Sequence, residues 1–224
     1  MLEYRGMIRQ NINELLAELP EGVQLEAAVK ARNTAEILAA VAAGVKILGE
    51  NYVQEAETVY QAVGSEVEWH LIGHLQKNKV KKAVRLFDMV ETVDSVKLAC
   101  EIDKRCAEIG KVMPVLIEIN SGREWSKAGV FPENAPGMVR DIAGLENVKI
   151  VGLMTMGPTS GSSEELRSCF SETKQLFEST KQLNIPGTEM KYLSMGMSDS
   201  YRIALDTGAN IVRIGSKIFG NSPN

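Results

Sequence analysis

No stretch of about twenty consecutive apolar residues occurs in this chain, which excludes a membrane-spanning helix of the ordinary kind. The first 22 residues carry Glu3, Arg5, Arg9 and Glu14 at helical spacing, so they read neither as a span nor as a signal peptide, and a cytoplasmic protein is expected. Cysteine is scarce as well. The three cysteines, Cys100, Cys106 and Cys169, are odd in number and form no CxxC pair, which excludes a disulfide framework and a zinc knuckle and leaves them as buried small residues. A basic excess is missing: the formal net charge of −4 offers no general attraction for nucleic acid or an anionic membrane. Lys77, Lys79, Lys81 and Lys82 are a local exception, read as the solvated face of a helix. Internal repeats, low-complexity runs and linkers are absent too, so residues 1–224 are expected to form a single domain.

What the chain does have is a 44% hydrophobic, 24% charged composition, enough for one large core, and a regular alternation of two periodicities. Tyr4 to Leu19 places Ile8, Ile12, Leu15, Leu16 and Leu19 on one helical stripe, ended by Pro20 and Gly22. Val23 to Lys30 then reads as a buried strand closed by a lysine, and Asn33 or Thr34 caps the helix that follows. The strands Val45 to Leu48, Glu68 to Ile72, Met89 to Val93, Val112 to Ile119, Val148 to Leu153, Met190 to Leu193 and Asn210 to Ile214 come after it. Helices fill the gaps over Asn51 to Val63, Leu75 to Leu86, Ser95 to Ile109, Pro132 to Gly144, from Ser163 to Leu183, and Ser198 to Thr207. Eight β/α units predict an α/β fold closed into a (β/α)8 barrel, with the amino-terminal helix in place of a missing last one. A doubly wound open sheet is the alternative.

Barrels of this kind build their site from residues just past the carboxyl ends of the strands. Those positions hold Lys30, Gly49-Glu50-Asn51-Tyr52, His70 with Gly73-His74, Asn120-Ser121, Met154, Ser194 to Ser198, and Arg213 to Ser216. Ser194 to Ser198 runs through a glycine into a serine that caps a helix, and Arg213-Ile214-Gly215-Ser216 offers close-approaching amides and a hydroxyl. Phosphate is the ligand both stretches suit. Asp199, next to the cap, must then point away. A lysine on strand one facing a phosphate site from strands seven and eight suits pyridoxal 5′-phosphate, which needs an amine, an anion hole and a partner for its ring nitrogen. His70 and His74 straddle a strand end with no third ligand near in sequence, so no metal is expected. Glu124 and Lys127 read as a surface ion pair, and Met154, Met195 and Met197 as packing at the barrel top.

Six ordered runs resemble the YggS/PROSC group of pyridoxal phosphate-binding proteins, also called pyridoxal phosphate homeostasis proteins: 49–55 (GENYVQE), 69–79 (WHLIGHLQKNK), 124–129 (EWSKAG), 152–154 (GLM), 193–198 (LSMGMS) and 212–220 (VRIGSKIFG). The resemblance covers nearly the whole chain. It implies an alanine-racemase-like barrel, with Lys30 carrying the cofactor as an internal aldimine, Asn51 beside it, Ser198, Gly215 and Ser216 on the phosphate, and Arg213 facing the ring nitrogen. His70 and Met195 complete the expected cofactor-binding set. The chain departs from the family around the lysine, where Val29 replaces a serine and Ala31-Arg32-Asn33 replaces Thr-Lys-Pro; Arg32 is expected to supply the charge of the absent lysine.

A carrier is expected rather than a catalyst. A guanidinium can only donate, so Arg213 leaves the ring nitrogen unprotonated and the ring a weak electron sink. The related racemases also take a second base from a further β-domain, for which the ten residues after strand eight leave no room. The expected partners are pyridoxal phosphate and pyridoxal phosphate-dependent apoenzymes, with no nucleic acid and no membrane, the chain being a monomer; an amino-acid racemase is the alternative.

Overall fold

The computed structural model of the chain describes residues 2–158 and 161–220. Eight parallel strands follow one another around a closed barrel: Gln24–Ala28 (β1), Ile47–Glu50 (β2), Glu68–Leu71 (β3), Met89–Val93 (β4), Met113–Glu118 (β5), Val148–Met154 (β6), Thr188–Ser194 (β7) and Ile211–Ile214 (β8). Closure is direct, because β1 pairs with both β2 and β8, with Glu26 opposite Arg213. An open sheet is thereby excluded. Around the barrel lie Leu2–Glu18 (α1), Thr34–Ala42 (α2), Val53–Val63 (α3), Val80–Leu86 (α4), Val96–Ala107 (α5), Ala135–Ala143 (α6), Ser163–Gln182 (α7), Tyr201–Thr207 (α8) and Ser216–Phe219 (α9). Among the described residues no helix is long and apolar enough to cross a membrane.

Period-two alternation decides what each strand shows the helices and what it shows the barrel interior. Leu25 and Ala27, Leu48, Trp69 and Leu71, Val90 and Val93, Val115 and Ile117, Ile150 and Leu153, Leu193, and Val212 and Ile214 face outward into one continuous core. Trp69, Phe87, Phe170 and Phe219 are its bulkiest fully buried side chains, each stabilising by about 2 kcal/mol on burial. The alternate residues face inward. On one side they form a small apolar cluster of Met89, Leu116, Val151 and Met154 against Tyr192. On the other they are polar: Glu26, His70, Glu91, Ser194 and Arg213.

Several boundaries differ from the sequence expectation, each for a local reason. β1 stops at Ala28, and Lys30 lies two residues beyond it in a turn where Ala31 takes φ +56. The Ala31 amide donates to Glu55 Oε2 at 3.1 Å, which draws the chain off the sheet. Asn33 is the cap of α2: its Oδ1 accepts from the Glu36 amide at 3.0 Å while Glu36 Oε2 accepts from the Asn33 amide at 2.8 Å. The helix thought missing after β8 exists as the single turn α9, and α1 packs beside it, with Asn11 donating to Ile218 O at 3.0 Å and Tyr4 to Phe219 O at 2.6 Å. Arg32 faces the same turn, donating to Gly220 O at 2.6 Å, so its charge serves the end of α9 rather than the barrel mouth. Of the three cysteines only Cys106 is buried; Cys100 is exposed, on the α5 face opposite Ala99 and Ile102.

Gly152 marks a place where sequence and geometry admit one residue. It sits in β6 between register shifts against both neighbouring strands, and a Cβ there would fall 2.7 Å from the Tyr192 carbonyl carbon. Gly152→Ala is therefore expected to destabilise the barrel by about 3 kcal/mol or more, read as a fall in the urea midpoint. An unchanged midpoint would show that β7 can move aside.

Candidate functional site

The polar half of the barrel interior forms one connected network beneath the carboxyl-terminal mouth. Arg213, 3% exposed, donates from Nη1 to Ser194 Oγ at 2.5 Å and from Nη2 to Thr155 O at 2.8 Å. Ser194 donates to Glu91 Oε2 at 2.7 Å, and Glu91 Oε1 lies 2.9 Å from His70 Nδ1. Glu26 Oε1 stands 3.8 Å from the same imidazole nitrogen. Gly49 has no side chain because the Glu26 carboxyl and the Ile72 side chain fill the space a Cβ would need.

Charges in this layer balance through protons. Burial pushes the Glu26 carboxyl well above the usual range, and the charge of Glu91 adds to the shift. Burial acts on Glu91 in the same direction but is outweighed by His70, Arg213 and the Ser194 hydroxyl, so its carboxyl is held low. Burial alone would lower His70; its contacts with Glu68 and Glu91, helped by the nearby Glu26 carboxyl, overcome it and raise the imidazole to about 10. Donor atoms of Glu26, His70 and Glu91 all lie within 4.8 Å of one another, a spacing a cation could use. A protonated imidazole between the carboxyls, with the Arg213 guanidinium 3.9 Å from Glu91, fills that electrostatic role already. His74 does not join His70: its half-exposed ring lies 3.6 Å from Asp94.

Above the network, the loops after β7 and β8 meet. Ser198 is not a helix cap, because α8 begins only at Tyr201; its buried hydroxyl accepts instead from the Gly215 and Lys217 amides, both at 3.3 Å. Gly196 makes the approach possible, at φ +89 with Tyr201 Cα 2.8 Å from where its Cβ would stand, while its carbonyl accepts from the Arg213 amide at 3.0 Å. Met195 is fully buried below this loop, and Met197, expected inside, is exposed. Asp199 is exposed, as a phosphate site would require, and Ser216 is exposed at the start of α9. Gly215 borders the end of β1, its missing Cβ lying 3.3 Å from Ala28 O.

Lys30 follows from that strand end, exposed, its ammonium 5.8 Å from the centre of the Tyr52 ring. Beneath Tyr52, the buried Glu50 carboxylate accepts from the Asn51 amide at 2.7 Å and from the Tyr52 amide at 3.3 Å. Gly73 gives the Asn51 backbone room, and a cleft of about 400 Å³ opens between Asn51, Tyr52, Gly73, His74 and Lys79. A larger groove of about 590 Å³ lies between α7 and the start of β7 and holds none of these residues. The loop after β5 closes the far side: Glu124 and Lys127 pair at 2.9 Å, as expected, and Lys127 also donates to Gly157 O at 3.0 Å.

Burial raises the Glu50 carboxyl to about 7, with the two amides and the charge of Lys30 pulling the other way. A carboxyl whose folded value lies above its unfolded one loses stability for the fold as pH rises from about 4.5 to about 7. Glu50→Gln keeps an acceptor for both amides without the buried charge. The cofactor-free variant is therefore expected to melt several degrees above the parent at pH 8 and no higher than it at pH 4.5. A melting point below the parent at pH 8 would show that the charge is needed.

The strand ends carry Lys30, Asn51, Ser198, Arg213, Gly215 and Ser216 around one mouth with His70 beneath it, whereas Met195 packs in the core between barrel and helices. Strand-end reasoning missed Glu91, which links His70 through Ser194 to Arg213, Thr155, whose carbonyl holds Arg213 directly, and Glu26, which stands beside His70. The signal for Glu26 and Glu91 was a carboxylate inside a short apolar run, at an inward position of a strand; Thr155, just past β6, gave none.

The family described as "Alanine racemase, N-terminal domain" matches residues 5–223. A "Pyridoxal phosphate homeostasis protein" of Aquifex aeolicus (strain VF5) is 41% identical over 179 residues, 79% of this chain and 77% of that protein. The structure of PipY of Synechococcus elongatus PCC7942 with PLP bound superposes with a TM-score of 0.88 at 32% identity, covering 95% of this chain and all, 100%, of that one. An alanine racemase of Clostridium difficile 630 shares the barrel, with a TM-score of 0.84 at 18% identity over 97% of this chain and 57% of the racemase.

Proposed function

The chain belongs to the alanine racemase N-terminal domain family, and from its site we propose that it is a pyridoxal 5′-phosphate-binding homeostasis protein that holds its cofactor on Lys30. One observation carries the reading. The Ser198 hydroxyl and the Gly215 and Lys217 amides converge at long 3.3 Å separations beside the end of β1, where the next long side chain is the lysine. Donors held that loosely can turn to a phosphate, and Gly215 adds no side chain to block it. The residues present therefore fit the cofactor: Ser198, Gly215 and Ser216 for the phosphate, Asn51 beside the ring, Arg213 for its nitrogen, and the Lys30 amine for the aldehyde.

When bound, the cofactor supplies an aldehyde that an amine can attack and a ring that can accept electrons. Arg213 has no proton acceptor and is pinned on two sides, so it gives the ring nitrogen a donor and never a carboxylate partner. That favours storage over the carbanion chemistry of a racemase. In this reading the chain is a monomeric cytoplasmic store serving apoenzymes, and its own residues bind and orient without turning substrate over.

The test is to load the chain with pyridoxal phosphate, reduce with borohydride and locate the added mass. A single adduct on the peptide containing Lys30 supports the reading. An adduct on Lys127 or Lys217, or none, overturns it.

A further inference from the structure

Arg213 is held from inside the barrel. Its Nη1 bonds Ser194 at 2.5 Å, Ser194 bonds Glu91 at 2.7 Å, and Glu91 lies 2.9 Å from His70, every one of these side chains being at most 3% exposed. Glu91 is thus flanked by two cationic groups, the guanidinium 3.9 Å away on one side and the imidazole on the other. Glu26 closes the row, fully buried, at 3.8 Å from His70. Four strands supply the row, β1, β3, β4 and β7, and all of it ends on the one guanidinium of β8.

We propose that Glu91, braced by His70 and Ser194, is the positioning residue that fixes the Arg213 guanidinium and thereby sets the charge felt by the group bound above it. The inference rests on the cofactor reading, in which that group is the pyridine ring. Glu91 reaches that group only through Ser194 and Arg213, since it is itself fully buried behind them. It acts by holding a buried cation that Ser194 and Thr155 also bond. A loosened guanidinium would present its donors less well and let the ring nitrogen titrate differently.

Two variants test this, Ser194→Ala, which keeps every charge, and Glu91→Gln, which removes one. Each is measured by pyridoxal phosphate titration, by the pH midpoint of the bound cofactor's absorbance, and by cofactor-free melting. Ser194→Ala is expected to weaken binding about 5- to 10-fold and Glu91→Gln about 30-fold, both moving the pH midpoint. In an Arg213→Gln background, neither should add more than about twofold, because the residue they position is gone. Variants that melt lower but keep the parent's affinity and pH midpoint overturn the proposal, as do losses that add fully to Arg213→Gln. Should Glu91→Gln fail to fold, Ser194→Ala carries the test alone. A parent chain that binds no pyridoxal phosphate defeats the cofactor reading and the inference with it; a parent that binds while both variants match it defeats the inference only.

Discussion

Lys30→Ala is expected to leave the barrel intact and to abolish retention of pyridoxal phosphate through gel filtration. Lys30 is exposed, two residues past β1, and its one close ring contact is the Tyr52 face at 5.8 Å. Removing it empties no core space, so melting of the cofactor-free chain should stay within about 0.5 kcal/mol of the parent. Binding is another matter. The donors proposed for the phosphate, Ser198, Gly215 and Ser216, remain, but the bond to the aldehyde is lost, and affinity should fall by about 100-fold or more, with no mass trapped by borohydride. Lys30→Arg separates bond from charge: it keeps the cation over Tyr52 and is expected to fail as completely as alanine. Equal retention by either variant would mean that another amine carries the cofactor.

That Lys30 was legible at all, and Ser198 only by half, has a physical cause. Period-two runs such as Val115 to Ile117 and period-3.6 runs such as Ile8, Ile12 and Leu15 are local, and the eight-fold alternation they build places strand ends at one mouth whatever the loops do. The turn at Ala31, by contrast, depends on Glu55 from a different unit, so the lysine read as closing the strand stands off it. Ser198 looked like a cap because a serine before an apolar run usually is one; its real partners are amides of the β8 loop, seventeen and nineteen residues on. Distance along the chain hid the interior row as well. Glu26 and Glu91 are single carboxylates in five-residue strands, and nothing near either one shows that His70 stands between them. Arg32 matched a family lysine by position and charge, yet the carbonyls at the end of α9 claim it.

Ser198→Asp should move stability and binding in opposite directions. The Ser198 hydroxyl accepts from two amides at 3.3 Å, weak bonds that a carboxylate reaching one bond further would shorten and strengthen. The cofactor-free chain is therefore expected to melt at or a few degrees above the parent. The same carboxylate would occupy the phosphate's place and oppose its charge. Two unit charges about 4 Å apart at an effective dielectric near 20 repel by roughly 4 kcal/mol, which corresponds to about a thousandfold loss of affinity for pyridoxal phosphate. Ser198→Ala provides the scale, since it removes one hydroxyl and should cost about 5- to 10-fold. Pyridoxal without its phosphate separates the two effects, because its binding should hardly distinguish Asp from Ala at this position. An Asp variant that binds the phosphorylated cofactor as the parent does would place the anion elsewhere on the barrel, and the loops after β7 and β8 would then be no more than a junction between neighbouring strands.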